Sequence, residues 1–447
     1  MRIPGNRIQQ IIAIGLSLSG YIWLGYYTER ADFIQVLAGY SILFVLYGFL
    51  LYKNRSGNNF KIAIGGAVLL RLSLLLMTPN LSDDYFRFIW DGLLSVAGVN
   101  PYLSTPAELF NSQASVPGIN RELFQNLNSS GYHSAYPPVS QFIFRLSAIV
   151  AGANIFGNVI VLRVLILLAE FGSLALLWRL AKRFKPAPAA ILIYGLNPLV
   201  IMELTGNLHF EALMIFFLLV SVFFLVKEKR LLSAVFMGLA IGTKLIPLIF
   251  LPLLVKRLGI SRSLRYYLIT GVTVLLLFTP FLAGESIANY FSSLSLYFRV
   301  LEFNASLYYL LRWVYLATRS DLLITVIQVL LPVLTFLAVV FISARQKADN
   351  QQSLFRGMLF CLTIYLLLTN NVHPWNLTTL VMLSVFTGFR FVLVWSWGVI
   401  LGYSAYRTFP YIENLWLVAT EYLLVLVWIS GEIITGRKSR SRGNNGE

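Results

Sequence analysis

Ser82-Asp83-Asp84-Tyr85-Phe86-Arg87-Phe88-Ile89-Trp90-Asp91-Gly92 places three carboxylates and a guanidinium directly after an apolar stretch, in a chain with only 19 acidic residues among 447. On a helix, Asp83 and Asp84 diverge by about 100°, whereas Asp84, Arg87 and Asp91 share a face at i, i+3 and i+7. One carboxylate can therefore pair with Arg87 while its neighbour points elsewhere, available to take a proton. The plain alternative is capping, in which Ser82 or Asp83 opens a helix whose dipole favours acids at its start.

His133, His209 and His373 are the chain's three histidines. Gly206-Asn207-Leu208-His209-Phe210-Glu211 opens an apolar helix with an imidazole and a carboxylate two residues apart, able to cap the helix, ligate a metal or contact a leaving group. The chain has no His-Glu-x-x-His, Asp-x-Asp or cysteine pattern, so no metal ligands are assigned. No cofactor is required, with a divalent metal as the open alternative. Lys244, inside the apolar run Gly242-Thr243-Lys244-Leu245-Ile246-Pro247, would be costly there unless it reaches water or an anion. A lipid phosphate suits it, and snorkelling to the interface is the competing reading. Tyr136 and Trp375 read as interfacial anchors or sugar platforms. Arg299 and Arg312 read as lipid-phosphate contacts, with 304–313 lying along the interface.

These residues need elements to hold them, and the composition restricts which. With 57% apolar and 12% charged residues, and apolar runs of about 20 residues long enough to cross ~30 Å of hydrocarbon, the expectation is an all-α polytopic membrane protein. Helices are predicted near 8–27, 32–52, 60–77, 158–180, 189–203, 207–226, 264–282, 322–343, 354–370, 374–389, 391–408 and 412–434. The first reads as a retained helix rather than a cleaved leader. Cys361 is the lone cysteine, which excludes an intramolecular disulfide framework. The net charge of +16 lies mostly in short connections and in the tail 437–447, a pattern that orients a membrane protein and calls for no nucleic acid.

Placing the basic connections in the cytoplasm requires two apolar runs to bend. The run 139–180 crosses once, with 139–155 a short or partly inserted helix, and 231–255 is a broken pair of short helices interrupted at Lys244 and Pro247. The loop 78–138, the turn at 206–211, Lys244, the loop 284–303 and the segment 370–375 then meet on the extracytoplasmic side. The 78–138 loop has amphipathic stretches at 84–97 and 119–127. A single transmembrane unit, 1–436, with a basic cytoplasmic tail is expected.

Six short motifs carry a family resemblance: the Ser82–Gly92 segment, Gly98-Val99-Asn100-Pro101-Tyr102, Tyr136-Pro137-Pro138, Gly206 through Leu213, Gly242-Thr243-Lys244 and Val372-His373-Pro374-Trp375. Together the chain resembles the GT-C integral-membrane glycosyltransferases, closest to the bacterial polyprenyl-phosphate-mannose-dependent mannosyltransferases. The resemblance implies a bundle of about 12–14 transmembrane helices, with an acidic catalytic residue in the long first extracytoplasmic loop. It also implies a plasma-membrane enzyme taking a polyprenyl-phosphate sugar as donor and a lipid or glycan acceptor. Asp83 becomes the general base and Asp84 the second choice, His209 and His373 join the catalytic set, and Arg87, Tyr136, Glu211, Lys244, Arg299, Arg312 and Trp375 contact substrate. Phe210-Glu211 replaces the family's frequent Asn-Asp, and Asn376 replaces its frequent tyrosine after His-Pro-Trp. The rivals are a polyprenyl-lipid flippase and an O-antigen ligase or polymerase.

Overall fold

The computed structural model describes residues 5–444 except 56, 58, 113–114, 185 and 347–350. Arg2, Lys185 and Lys347, basic residues read as orienting the chain, and the last three tail residues therefore lie outside the described residues. Helices make up the bundle and no strand occurs among the described residues, as the composition predicts.

Among the described residues, six helices are long and apolar enough to cross a membrane: Asn6–Tyr27, Phe33–Lys53, Ile155–Phe184, Ile260–Phe281, Leu322–Arg345 and Leu415–Thr435. Pro198–Gly206 and Glu211–Val226 make a seventh span if counted as one, bent by 111°. Pro138–Ala151, Arg230–Thr243 and Gln352–Leu368 are shorter and apolar. Several predicted spans are thus divided, each for a local reason. Gly152, at φ 57, ends Pro138–Ala151 before the 30-residue helix Ile155–Phe184, as the short-helix reading of 139–155 requires. At Lys244 the backbone is extended, and the chain resumes as the tighter turn Ile246–Leu253 with Pro247 near its start. The broken pair expected at 231–255 is present, its second half mostly 3-10.

Two differences stand out. The expected 284–303 connection contains a helix, Ser286–Arg299, whose Tyr290 packs with Tyr102 and Phe281. The long loop has a third helix, Pro106–Asn111, closed by a capping box between Thr105 and Glu108 with proline at its first position. The other two, Asp84–Val96 and Arg121–Gln125, fall where amphipathicity places them.

Buried charges hold the loop ends in place. Arg163 donates to the carbonyls of Leu75, Met77, Thr205 and Gly206, which fixes the approach to Asp83 and to His209 from one point. Arg71 pairs with Glu170 at 2.9 Å, both fully buried. Helix Asp84–Val96 crosses Pro138–Ala151 at Gly92, where a Cβ would stand 2.4 Å from the Phe144 carbonyl oxygen, so only glycine allows this approach. At the far end of Ile155–Phe184, Phe184 meets Phe355 and Phe386, and its carbonyl accepts from Gln352. The rise from Arg163 to Phe184 is about 30 Å at 1.5 Å per residue, one hydrocarbon thickness. The basic connection at 182–183 thus lies at one pole of the bundle and the acid-histidine residues at the other.

Candidate active site

Asp83 occupies the N-cap position of helix Asp84–Val96 but makes no side-chain capping bond. Its Oδ2 instead accepts from Arg30 Nη2 at 3.0 Å, and its Oδ1 from Asn128 Nδ2 at 2.7 Å. The same Asn128 amide reaches Asp84 Oδ1 at 3.0 Å, while Tyr136 Oη donates to Asp84 Oδ2 at 3.4 Å. Capping therefore does not explain Asp83. Arg30 comes from the turn between the first two spans; its guanidinium lies 4.3 Å above the Tyr406 ring and donates to Tyr411 Oη at 3.1 Å. Burial alone would lower its pKa, and the Asp83 charge more than reverses this, so it remains a cation.

Lys244 stands at the helix break with its side chain 22% exposed, pairing with the fully buried Glu211 at 3.1 Å. Its ammonium also lies 5.5 Å from the centre of the Tyr136 ring. Tyr136 thus links the Asp84 carboxylate to the lysine. The Gly98–Tyr102 motif holds Tyr136 there: Tyr102 Oη donates to the Tyr136 carbonyl at 2.6 Å, and Asn100 Nδ2 donates to the Phe281 carbonyl at 2.7 Å.

Two of the three histidines, His209 and His373, belong to a ring stack. Phe303, His373, Trp375 and His209 follow one another with ring centres 4.5, 4.3 and 3.8 Å apart. His209 Nε2 lies 3.4 Å from Glu203 Oε2. Glu203 sits in a π-helical turn, Ile201–Gly206, and also accepts from Tyr40, Tyr403 and Asn207. Burial first, then the nearby His209 and Lys244, pushes the His373 pKa from 6.5 down to about 3. His373 is therefore neutral at physiological pH.

A pH effect on stability follows. The unfolded imidazole takes up its proton as pH falls through 6.5, whereas the folded one does not until about 3. Its contribution is full above the unfolded pKa and is lost as pH falls toward the folded one. Between about pH 7 and about pH 5 the unfolding midpoint is expected to drop, and to drop less in His373→Phe, which keeps the ring stack. Parallel thermal melts of the two proteins in one detergent check this; equal slopes would show that His373 contributes nothing.

Arg87 is not aimed at a ligand: it is buried, pairs with Asp91 at 2.8 Å and donates to the carbonyls of Ser129 and Tyr132. Asp91 in turn accepts from Ser134 and Gln141. This clamp holds the loop that brings Asn128 to the acid pair, a positioning role in place of the expected substrate contact. Arg312 is engaged by Glu302 at 2.8 Å, which opposes the lipid-phosphate reading, and Arg299 ends its helix exposed. His133 remains in the long loop, with Glu108 as the acid whose charge it feels. Among the described residues no group of three or more His, Cys, Asp or Glu could hold a metal ion.

Sequence reasoning missed Arg30, Asn128 and Glu203. Arg30 had a signal, being a cation in a turn that the orientation rule puts on the side poor in basic residues. Glu203 had one too, as an acid within an apolar helix. Asn128 had none.

Fold and site together define a polytopic, all-helical membrane protein with an acid pair, a largely buried lysine and stacked imidazoles at one pole. Residues 16–259 match the family described as "Alpha-(1->6)-mannopyranosyltransferase, N-terminal domain", and the chain belongs to that family, which bears out the GT-C mannosyltransferase resemblance. Alpha-(1->6)-mannopyranosyltransferase A of Mycobacterium tuberculosis (strain ATCC 25618 / H37Rv) is 28% identical over 186 residues, 41% of this chain and 34% of the relative. Alpha-(1->6)-mannopyranosyltransferase B of Corynebacterium glutamicum is 28% identical over 153 residues, 33% of this chain and 24% of the relative. The matches thus span about a third or less of these relatives' own length. The family match at 16–259 contains Arg30, Asp83, Asp84, Tyr136, His209, Glu211 and Lys244, whereas Phe303, His373, Trp375 and Tyr406 lie beyond it.

Proposed function

We propose that the protein transfers a hexose, mannose by its family, from a polyprenyl-phosphate donor to an acceptor hydroxyl on the extracytoplasmic side of the plasma membrane, inverting the anomeric carbon. The observation that carries this reading is Asp83, a loop carboxylate with no capping role, separated from the Lys244 cation only by Asp84 and Tyr136. Asp83 removes the acceptor's proton as the hydroxyl oxygen bonds to the anomeric carbon. The bond from that carbon to the phosphate oxygen breaks, and its electron pair leaves with the phosphate. Lys244 stabilises the charge that grows there. One displacement inverts the centre.

Lys244 favours a lipid-borne donor because it sits at a helix break inside an apolar run, where a phosphate on a prenyl chain arrives from the bilayer and a soluble nucleotide sugar does not. The sidedness rests on reading the basic connections as cytoplasmic, and is supported by the one at 182–183, which lies at the pole opposite the site. As written, the reaction uses no cofactor.

Purified protein incubated with a panel of polyprenyl-phosphate sugars and a mannoside acceptor, with and without chelator, tests the proposal. The expected product is one added sugar of inverted anomeric configuration by NMR, formed equally with chelator present. Lipid movement without any glycosidic product would decide for a flippase, and a ladder of whole repeats for a polymerase.

A further inference from the structure

The acid pair divides two environments. On one side, Asp84 faces Tyr136 and, through it, Lys244. On the other, Asp83 and Arg30 line a cavity of about 460 Å³, within the size range of small-ligand sites. Three stretches line it: the turn around Arg30, the irregular approach to helix Asp84–Val96 with that helix's first turn, and the segment from Tyr406 to Tyr411. Building on the transfer reading, we propose that this cavity is the acceptor subsite and takes an uncharged glycan end, while the donor phosphate occupies the Lys244 side.

The lining chemistry argues for a neutral ligand. Its charged residues are Arg30, Arg407, Glu29 and Asp83, two of each sign. Arg30 already donates to Asp83 and Tyr411 and packs on Tyr406, so its charge is engaged. A phosphate here would meet two carboxylates. A sugar fits better, because its hydroxyls both donate and accept, as this mixed set requires, and its C–H faces pack on rings such as Tyr85, Phe86 and Tyr411.

Stereochemistry gives an independent reason. An inverting displacement needs the attacking oxygen and the departing oxygen on opposite sides of the anomeric carbon. Asn128 ties Asp83 Oδ1 and Asp84 Oδ1 to one amide at 2.7 and 3.0 Å, which holds the carboxylate that lines the cavity beside the one that meets Tyr136. A hydroxyl arriving from the cavity meets Asp83 first, and a phosphate leaving away from it meets Lys244.

Two variants of the full chain in nanodiscs test this: Ala31→Trp, which fills the cavity mouth from an exposed position, and Arg407→Ala at its exposed rim. With methyl α-mannoside as acceptor probe, each is expected to raise the acceptor KM about tenfold or more, a loss of roughly 1.4 kcal/mol per tenfold, with donor KM and unfolding midpoint unchanged. A raised donor KM with unchanged acceptor KM, or no change in either, overturns the assignment. Saturation-transfer NMR of methyl α-mannoside reads the cavity without turnover. Binding that is present in the unsubstituted protein and lost in Ala31→Trp supports the subsite, even if no donor is ever turned over and the transfer reading fails. Binding unaffected by Ala31→Trp, or absent from the unsubstituted protein, overturns it.

Discussion

Asp83→Asn is expected to lower kcat by roughly 10²–10⁴, the range a positioned general base contributes, while donor lipid still binds. The amide keeps the size of the carboxylate but has one acceptor oxygen where two are used, so it can still accept from Asn128 or from Arg30 but not from both. What it loses is the lone pair that takes the hydroxyl proton. Arg30 then loses its ionic partner, but it retains Tyr411 as acceptor and Tyr406 as ring contact, and its side chain is 20% exposed. A partly hydrated pair of this kind contributes about 1 kcal/mol or less, so unfolding should shift little. Turnover measured with lipid donor, beside donor binding by equilibrium dialysis, separates chemistry from folding. Asp84→Asn is the paired control: Asp84 is held by Asn128 and Tyr136 and faces the lysine side, so its loss should affect donor placement more than the proton step. Full turnover in Asp83→Asn with none in Asp84→Asn would move the base to Asp84.

The sequence made the bundle legible because lipid leaves the backbone no choice but helix, and basic connections mark one pole. It also located the breaks at Gly152 and Lys244, where glycine and a charge interrupt apolar runs. Less legible was anything set by contacts distant in sequence. Arg87 and Asp91 share a face with Asp84, which suggested one polar group. In the fold Arg87 and Asp91 turn inward, Arg87 to the carbonyls of Ser129 and Tyr132, and of the segment's three carboxylates Asp83 and Asp84 border the site. The Thr105–Glu108 capping box and its proline could have announced the helix there, since that signal is local. Glu203 illustrates the opposite case. Its four partners come from segments as far apart as Tyr40 and Tyr403, and no spacing rule connects them. His373 was grouped with His209 because both imidazoles approach the site. The structure confirms their proximity, through Trp375, and burial holds His373 neutral, which no spacing in the sequence announces.

Lys244→Met is expected to remove most turnover, by about 10²–10³ if the ammonium acts on the leaving phosphate as other charge-stabilising donors do, and to raise the donor KM as well. The difficulty is Glu211. It is fully buried and pairs with Lys244, so the single substitution strands a carboxylate in an apolar setting. Breaking such a pair costs about 3–5 kcal/mol when both groups are buried, and less here because the lysine side chain is 22% exposed. Loss of activity alone would therefore be ambiguous between lost catalysis and a damaged helix break. The double variant Lys244→Met with Glu211→Gln resolves it. Removing both charges together relieves the stranded carboxylate, so the unfolding midpoint should return toward that of the unsubstituted protein. If Lys244 exists to neutralise Glu211, turnover returns with stability. If it exists to meet the phosphate, stability returns while turnover and donor affinity do not, and Lys244→Arg, which keeps the charge, recovers part of both.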